Sequence, residues 1–146
     1  MDWKMVAVDK LKQYEAKRLS LEIIPREIEE IETTMTSIRS ARVDGTAIKN
    51  SSGNGREAML LNCIVKKDEL KRNLECAKLW ISIVEKALSI LDQEERVILD
   101  RFFIQSERCA ADRLAGDLHI EVSTVYRRRE KALRKFTIAL YGLTES

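Results

Sequence analysis

Leu114-Ala115-Gly116-Asp117-Leu118-His119-Ile120-Glu121-Val122-Ser123-Thr124-Val125-Tyr126-Arg127 is the stretch on which the fold turns. Leu114, Ala115 and Leu118 fall at helical spacing, and Val125 opens a second helical pattern after a turn of about three residues. Ala115, in the middle of the first helix, lets a second helix approach closely. Leu118 and Ile120 close a small core round the turn, and Val125 anchors the following helix from inside. That is the packing logic of a helix-turn-helix. His119 stands in the turn and tolerates a left-handed backbone. Glu121 stands at the N-cap, where it caps poorly, although its charge suits the helix dipole.

Upstream, Asp92 is a good N-cap and Glu95 follows at the capping-box spacing. The helix so started is expected to bury Val97, Ile98, Phe102 and Phe103. Ser106 is expected to cap the next helix, which runs through Leu118 with Ala110, Leu114, Ala115 and Leu118 inward. The third helix should run from near Val122 towards Leu140. These three helices define an expected domain over 92–146.

The pattern before residue 92 is different. Leu21, Ile24, Ile28, Ile31, Met35 and Ile38 alternate at spacings of three and four, and so do Cys63, Lys67, Leu70, Leu74, Ala77, Ile81, Val84, Leu88 and Leu91. Such a repeat puts one apolar seam on each helix, and two seams wind round each other. Lys67 is the polar seam position. Pro25, which lacks an N–H, predicts a kink or short break in the first arm. Gly45, Gly53 and Gly55, among Asn and Ser, predict a flexible loop over 43–56. Residues 1–91 therefore read as a long antiparallel helical hairpin, a coiled coil, and the fold class is all-α.

Composition narrows the function classes. The 146 residues are 34% charged and 45% hydrophobic, with five glycines and one proline, a mixture that suits long helices. The net charge of +2 is unevenly placed. Over 92–121 four arginines face eight acids, whereas over 122–146 six basic residues face two acids. Positive charge gathered on one terminal helix makes a local anion-binding face. Cys63, Cys76 and Cys109 fit no disulfide framework or metal motif and read as reduced, packed thiols. With His119 as the sole histidine and no phosphate-cradling glycine loop, neither a catalytic constellation nor a metal or cofactor site is expected. No apolar run is long enough to span a membrane and no signal peptide precedes the first arm, so the expected location is cytoplasmic.

The outer side of the third helix offers Ser123, Thr124, Tyr126, Arg127, Lys131 and Arg134, groups that donate hydrogen bonds to base edges and phosphates. The Arg127-Arg128-Arg129 triplet has a plainer reading, a solvated helix face. Its place on this helix favours contact with nucleic acid. Trp3 and Trp80 read as flank or core residues of the hairpin.

Residues 88–136, above all Leu114-Ala115, Ser123-Thr124-Val125-Tyr126-Arg127 and Lys131-Ala132-Leu133-Arg134-Lys135-Phe136, resemble region 4 of sigma-70-type factors, the module that reads the promoter −35 element. The whole pattern is similar to small phage and prophage regulators of the ArpU/RinA-like group. The resemblance implies a sequence-specific transcriptional regulator bound to double-stranded DNA. It implies base contact by Val122, Ser123, Tyr126 and Arg127, and backbone contact by Thr124, Arg128, Lys131 and Arg134. The family usually has Gly where His119 stands and Ser or Thr where Glu121 stands, departures that bear on affinity more than on fold. The arms lack the aromatic, polymerase-gripping region of a complete sigma factor. Two other classes fit the pattern: a phage DNA-packaging protein of the small-terminase kind, and a coiled-coil protein docking on RNA polymerase. A homodimer is expected, paired through Leu11, Leu19, Ile23, Leu60 and Ile64, which lie off the main seam.

Overall fold

The computed structural model describes residues 1–43 and 52–144, and the described residues that form regular structure are helical. In chain order the helices are α1 (Trp3–Val43), α2 (Ser52–Leu88), α3 (Gln93–Leu99), a π-helical turn (Asp100–Ile104), α4 (Ala110–Leu118) and α5 (Val122–Tyr141). No helix among the described residues is long and apolar enough to cross a membrane. The chain divides into two compact units, one of Met1–Arg18 with Leu79–Ser146 and one of Leu19–Lys78.

In the unit of Leu19–Lys78, the positions of the apolar repeat are the covered ones. Ile31, Met35 and Ala77 are buried, and Leu21, Ile24, Ile28, Ile38, Cys63, Leu70 and Leu74 are half-buried. Lys67, the polar position of this row, pairs with Glu32 at 3.1 Å. Of the kink or short break expected at Pro25, no break is found, because α1 runs through it. One backbone bond is lost there, while Leu21, Ile24 and Ile28 on either side stay covered. The expected loop over 43–56 is shorter than its composition suggests. Val43 ends α1 and Ser52–Arg56 belong to α2, whose first turn has no intrahelical N–H bonds to lose; residues 44–51 lie outside the described residues. Cys76 and Cys109 are exposed and only Cys63 is half-buried, so the expectation of packed thiols fails for two of the three.

The other unit has two cores. Ile98, Ala111, Leu114 and Val125 form the smaller, with Phe102, Ala115, Leu118, Ile120 and Val122 against it. Leu99, Ala132, Leu133 and Phe136 form the larger together with Ala7, Leu11, Val84, Ala87, Leu88 and Leu91. Packing therefore does not stop at the boundary expected at residue 91. The C-terminal half of α5 is buried by residues of α1 and α2, because Leu133 and Phe136 point away from α4. Leu11 is wholly buried here and is lost to the dimer contact expected of it. The Trp3 ring packs tilted against Tyr141 with centroids 4.8 Å apart, the Trp3 backbone N–H donates to the Thr144 carbonyl, and Lys10 and Lys17 lie over the Trp80 ring. Tyr14 donates to Glu85 at 2.7 Å; burial first, then this bond, pushes its phenol up to about 12.

The capping box at the start of α3 forms as expected. The Glu95 N–H donates to Asp92 Oδ1 at 2.8 Å, and the Asp92 N–H donates to Glu95 Oε1 at 3.2 Å. Ile98 and Leu99 point inward, one to each core, while Val97 is exposed, against expectation, because it lies about 100° round the helix from Ile98. The π turn is closed by the Gln105 N–H on the Asp100 carbonyl at 2.8 Å, and burial raises the Asp100 carboxyl above its usual range. Ser106 does not cap the next helix. Its φ is +47°, its hydroxyl donates to the Phe103 carbonyl, and α4 begins only at Ala110 after a left-handed Cys109.

Arg101 holds that link in place. It donates to both carboxylate oxygens of Glu107, at 2.7 and 3.1 Å, and to Asp117 at 2.7 Å, while Arg113 reaches Glu107 at 3.0 Å. The paired guanidinium groups hold the Glu107 carboxyl down at about 2, Arg101 contributing most. His119 adopts the left-handed conformation expected of it (φ +57°, ψ +45°) and ends α4, and Glu121 starts α5 without a side-chain cap bond.

Candidate nucleic-acid interface

Helix α5 sorts its residues by helical phase. Val125, Ala132, Leu133, Phe136 and Thr137 are buried, at steps of seven, one, three and one. Ser123, Arg127, Lys131 and Arg134, at steps of four, four and three, are all exposed and share one stripe on the opposite side. Among the described residues no carboxylate pairs with Arg127, Lys131 or Arg134. Glu130 also lies on this side and is exposed, with Arg129 at 3.1 Å.

The arginine triplet splits three ways. Arg127 points to solvent. Arg128, half-buried, forms an ion pair with Glu94 of α3. Arg129 turns inward, with its guanidinium 4.9 Å from the ring centres of both Phe102 and Tyr126 and 5.9 Å from that of Phe103. A fourth cation of α5, Lys135, pairs with the buried Glu95 at 3.0 Å. Glu95 Oε1 thus accepts from both the Asp92 N–H and Lys135. Asp92, Glu94 and Glu95 line a hollow of about 230 Å³ with Arg128 and Lys131. The Asp92 carboxyl is held below its usual range, first by the Glu95 N–H and then, against some desolvation, by the lysines of α5.

The eight residues singled out from the sequence are thus not one surface. Ser123, Arg127, Lys131 and Arg134 come together. Tyr126 flanks them, 44% exposed, with its ring 6.0 Å from Phe102. Val122 packs on the smaller core, because the first residue of α5 faces the turn that Leu118 and Ile120 close. Thr124 is half-buried, and Arg128 is already bonded. Sequence reasoning missed Arg129, Glu94 and Glu130. Arg129 is indistinguishable in sequence from the arginines beside it, and the contact between residues 94 and 128 leaves no local signal. Arg108, exposed just before α4 and unpaired among the described residues, lies in a link that the cap chemistry of Ser106 predicts to be helix.

No family model, no curated protein and no solved structure matches this chain.

Proposed function

We propose that α4 and α5 form a helix-turn-helix and that the chain is a sequence-specific DNA-binding regulator of transcription, with α5 laid against a duplex. The observation that carries this reading is the stripe Ser123–Arg127–Lys131–Arg134: an exposed hydroxyl and three cations without carboxylate partners among the described residues, on a helix whose other cations meet acids or rings of the protein. Guanidinium and ammonium groups so presented meet phosphates, and Arg also meets guanine edges in the major groove. The three-residue turn with left-handed His119, and the small core of Leu114, Leu118, Ile120 and Val125, support the motif. The likeness of 114–136 to sigma-70 region 4 agrees with it.

The reading treats α1 and α2 as an antiparallel hairpin. Within one unit Tyr14 meets Glu85, and within the other Glu32 meets Lys67, each a contact of α1 with α2. Leu19, Ile23 and Ile64 remain exposed on these helices and supply apolar surface for a second copy. A second copy, or RNA polymerase, is needed because one small module lacks the affinity to find a site in a genome. The protein acts by binding rather than by catalysis.

Selection of duplexes from a random pool, followed by footprinting of the winner with the full chain, tests the proposal. A protected site whose affinity falls with salt is the expected result. Retention of no duplex at low salt would overturn it.

A further inference from the structure

Arg129 is the one arginine of the triplet that faces neither solvent nor an acid of α3. Its side chain is only 25% exposed, its guanidinium lies against three aromatic rings, and its Nε is buried without a hydrogen-bond partner. A cation kept among rings gains from their negative faces, and the flat guanidinium stacks where an ammonium cannot. Two of those rings, Phe102 and Phe103, come from the π turn, and the third is Tyr126, one step from the exposed stripe. Tyr126 is therefore held from two sides, by Phe102 and by Arg129, while its hydroxyl has no hydrogen-bond partner among the described residues and nearly half its surface is open. A phenol fixed at the edge of a cationic stripe can meet a base edge in one orientation only, which is what discrimination between bases requires.

We infer that Arg129 is a positioning residue for duplex recognition: it does not touch phosphate but clamps the Tyr126 ring so that Tyr126 reads a base beside Arg127. The inference rests on the reading of α5 as the helix that meets DNA. It separates two roles that a run of three arginines conceals. Arg127 acts on the duplex directly, and Arg129 acts through Tyr126.

The test compares full-length wild type with Arg129→Lys and Arg129→Met. Both replacements fill the slot between the rings, so melting curves near that of the wild type are expected. Each variant is titrated with the selected duplex and with a scrambled one over a range of salt. The expected result is a selected-to-scrambled affinity ratio reduced about tenfold in both, with unchanged affinity for the scrambled duplex and an unchanged salt slope. Tyr126→Phe should lower the ratio in the wild type and add little further in Arg129→Met, since the two act as one unit. An unchanged ratio in both Arg129 variants overturns the inference and leaves DNA binding standing. Equal loss on both duplexes with a shallower salt slope also overturns it, because Arg129 would then be a phosphate contact. Wild type that binds neither duplex overturns both readings together.

Discussion

If α5 meets a duplex as proposed, the division of its cations into free and engaged sets the salt dependence of that binding. On a duplex of arbitrary sequence no base is read, and only cations that meet phosphates release counterions. Three residues of α5 are exposed and unpaired (Arg127, Lys131 and Arg134), whereas Arg128, Arg129 and Lys135 are held by Glu94, by the aromatic rings and by Glu95. Three contacts give a slope of log affinity against log salt of about −2.7, so a fourfold rise in salt weakens binding about 40-fold. All six would give about −5.4 and a loss of about 2,000-fold. Arg134→Ala should flatten the slope by about 0.9, and Arg128→Ala should leave it nearly unchanged. Glu94→Gln is the sharper variant. It releases Arg128 and removes a negative charge beside the stripe, so the slope should steepen by about 0.9 and the affinity at low salt should rise. Fluorescence anisotropy with a labelled non-cognate duplex, from low to physiological salt, gives all of these slopes. A wild-type slope near −5.4, or a Glu94→Gln slope equal to that of the wild type, would refute the assignment of Arg128 to Glu94.

Further outcomes concern stability. Leu74→Asp puts a charge on the covered row of α2 and should cost about 3 kcal/mol, read as lost helicity and a lower melting temperature by circular dichroism. Phe136→Ala empties a fully buried site in the larger core and should cost about 3–5 kcal/mol in urea denaturation, a loss that unfolds a marginal protein. Glu107 should make acid stability pH-dependent. Its carboxyl is lowered from 4.5 to about 2, so its contribution is complete above the unfolded value and is lost as pH falls towards 2. Glu107→Gln should remove that dependence, and melting temperatures measured between pH 5 and pH 2 should fall less steeply than those of the wild type.

Local chemistry was the readable part of this sequence. The capping box at Asp92 and Glu95, the turn at His119, the start of α5 at Val122 and the covered positions of each apolar repeat (Ile31 and Met35 on α1, Ala77, Ile81 and Val84 on α2) each depend on residues within a few turns of one another, and each is where the pattern puts it. Misreadings came where distant residues decide. Ser106 has the right chemistry for a cap, but the bonds of Arg101 to Glu107 and Asp117 draw the following link into two left-handed residues and delay α4 to Ala110. Val97 looked apolar enough for a core that Leu99 fills instead. In the candidate site, residue types were informative and directions were not. Three successive arginines point three ways on a helix, and which of them finds an acid or a ring depends on α3 and the π turn.

The same geometry binds the N-terminal helices to the function proposed for the C-terminal one. Helix α5 rests on both cores, with Val122 and Val125 in the smaller and Ala132, Leu133 and Phe136 in the larger. The orientation of its exposed stripe therefore depends on both supports. The smaller is built by α3, the π turn's Phe102 and α4, whereas the larger is completed by Ala7 and Leu11 of α1 and by Val84, Ala87, Leu88 and Leu91. A segment beginning at residue 92 would carry the stripe, the turn and one core, but would leave the larger core of Leu133 and Phe136 without Ala7, Leu11, Val84, Ala87, Leu88 and Leu91. Loss of such contacts costs a large share of the few kcal/mol that hold a small domain together. Conversely, anything that moves the end of α2 or the start of α1 bears directly on α5. Under the proposed function, a partner that grips α1 and α2 there would alter how α5 meets a duplex without touching α5 itself, since packed cores transmit displacement rather than absorb it.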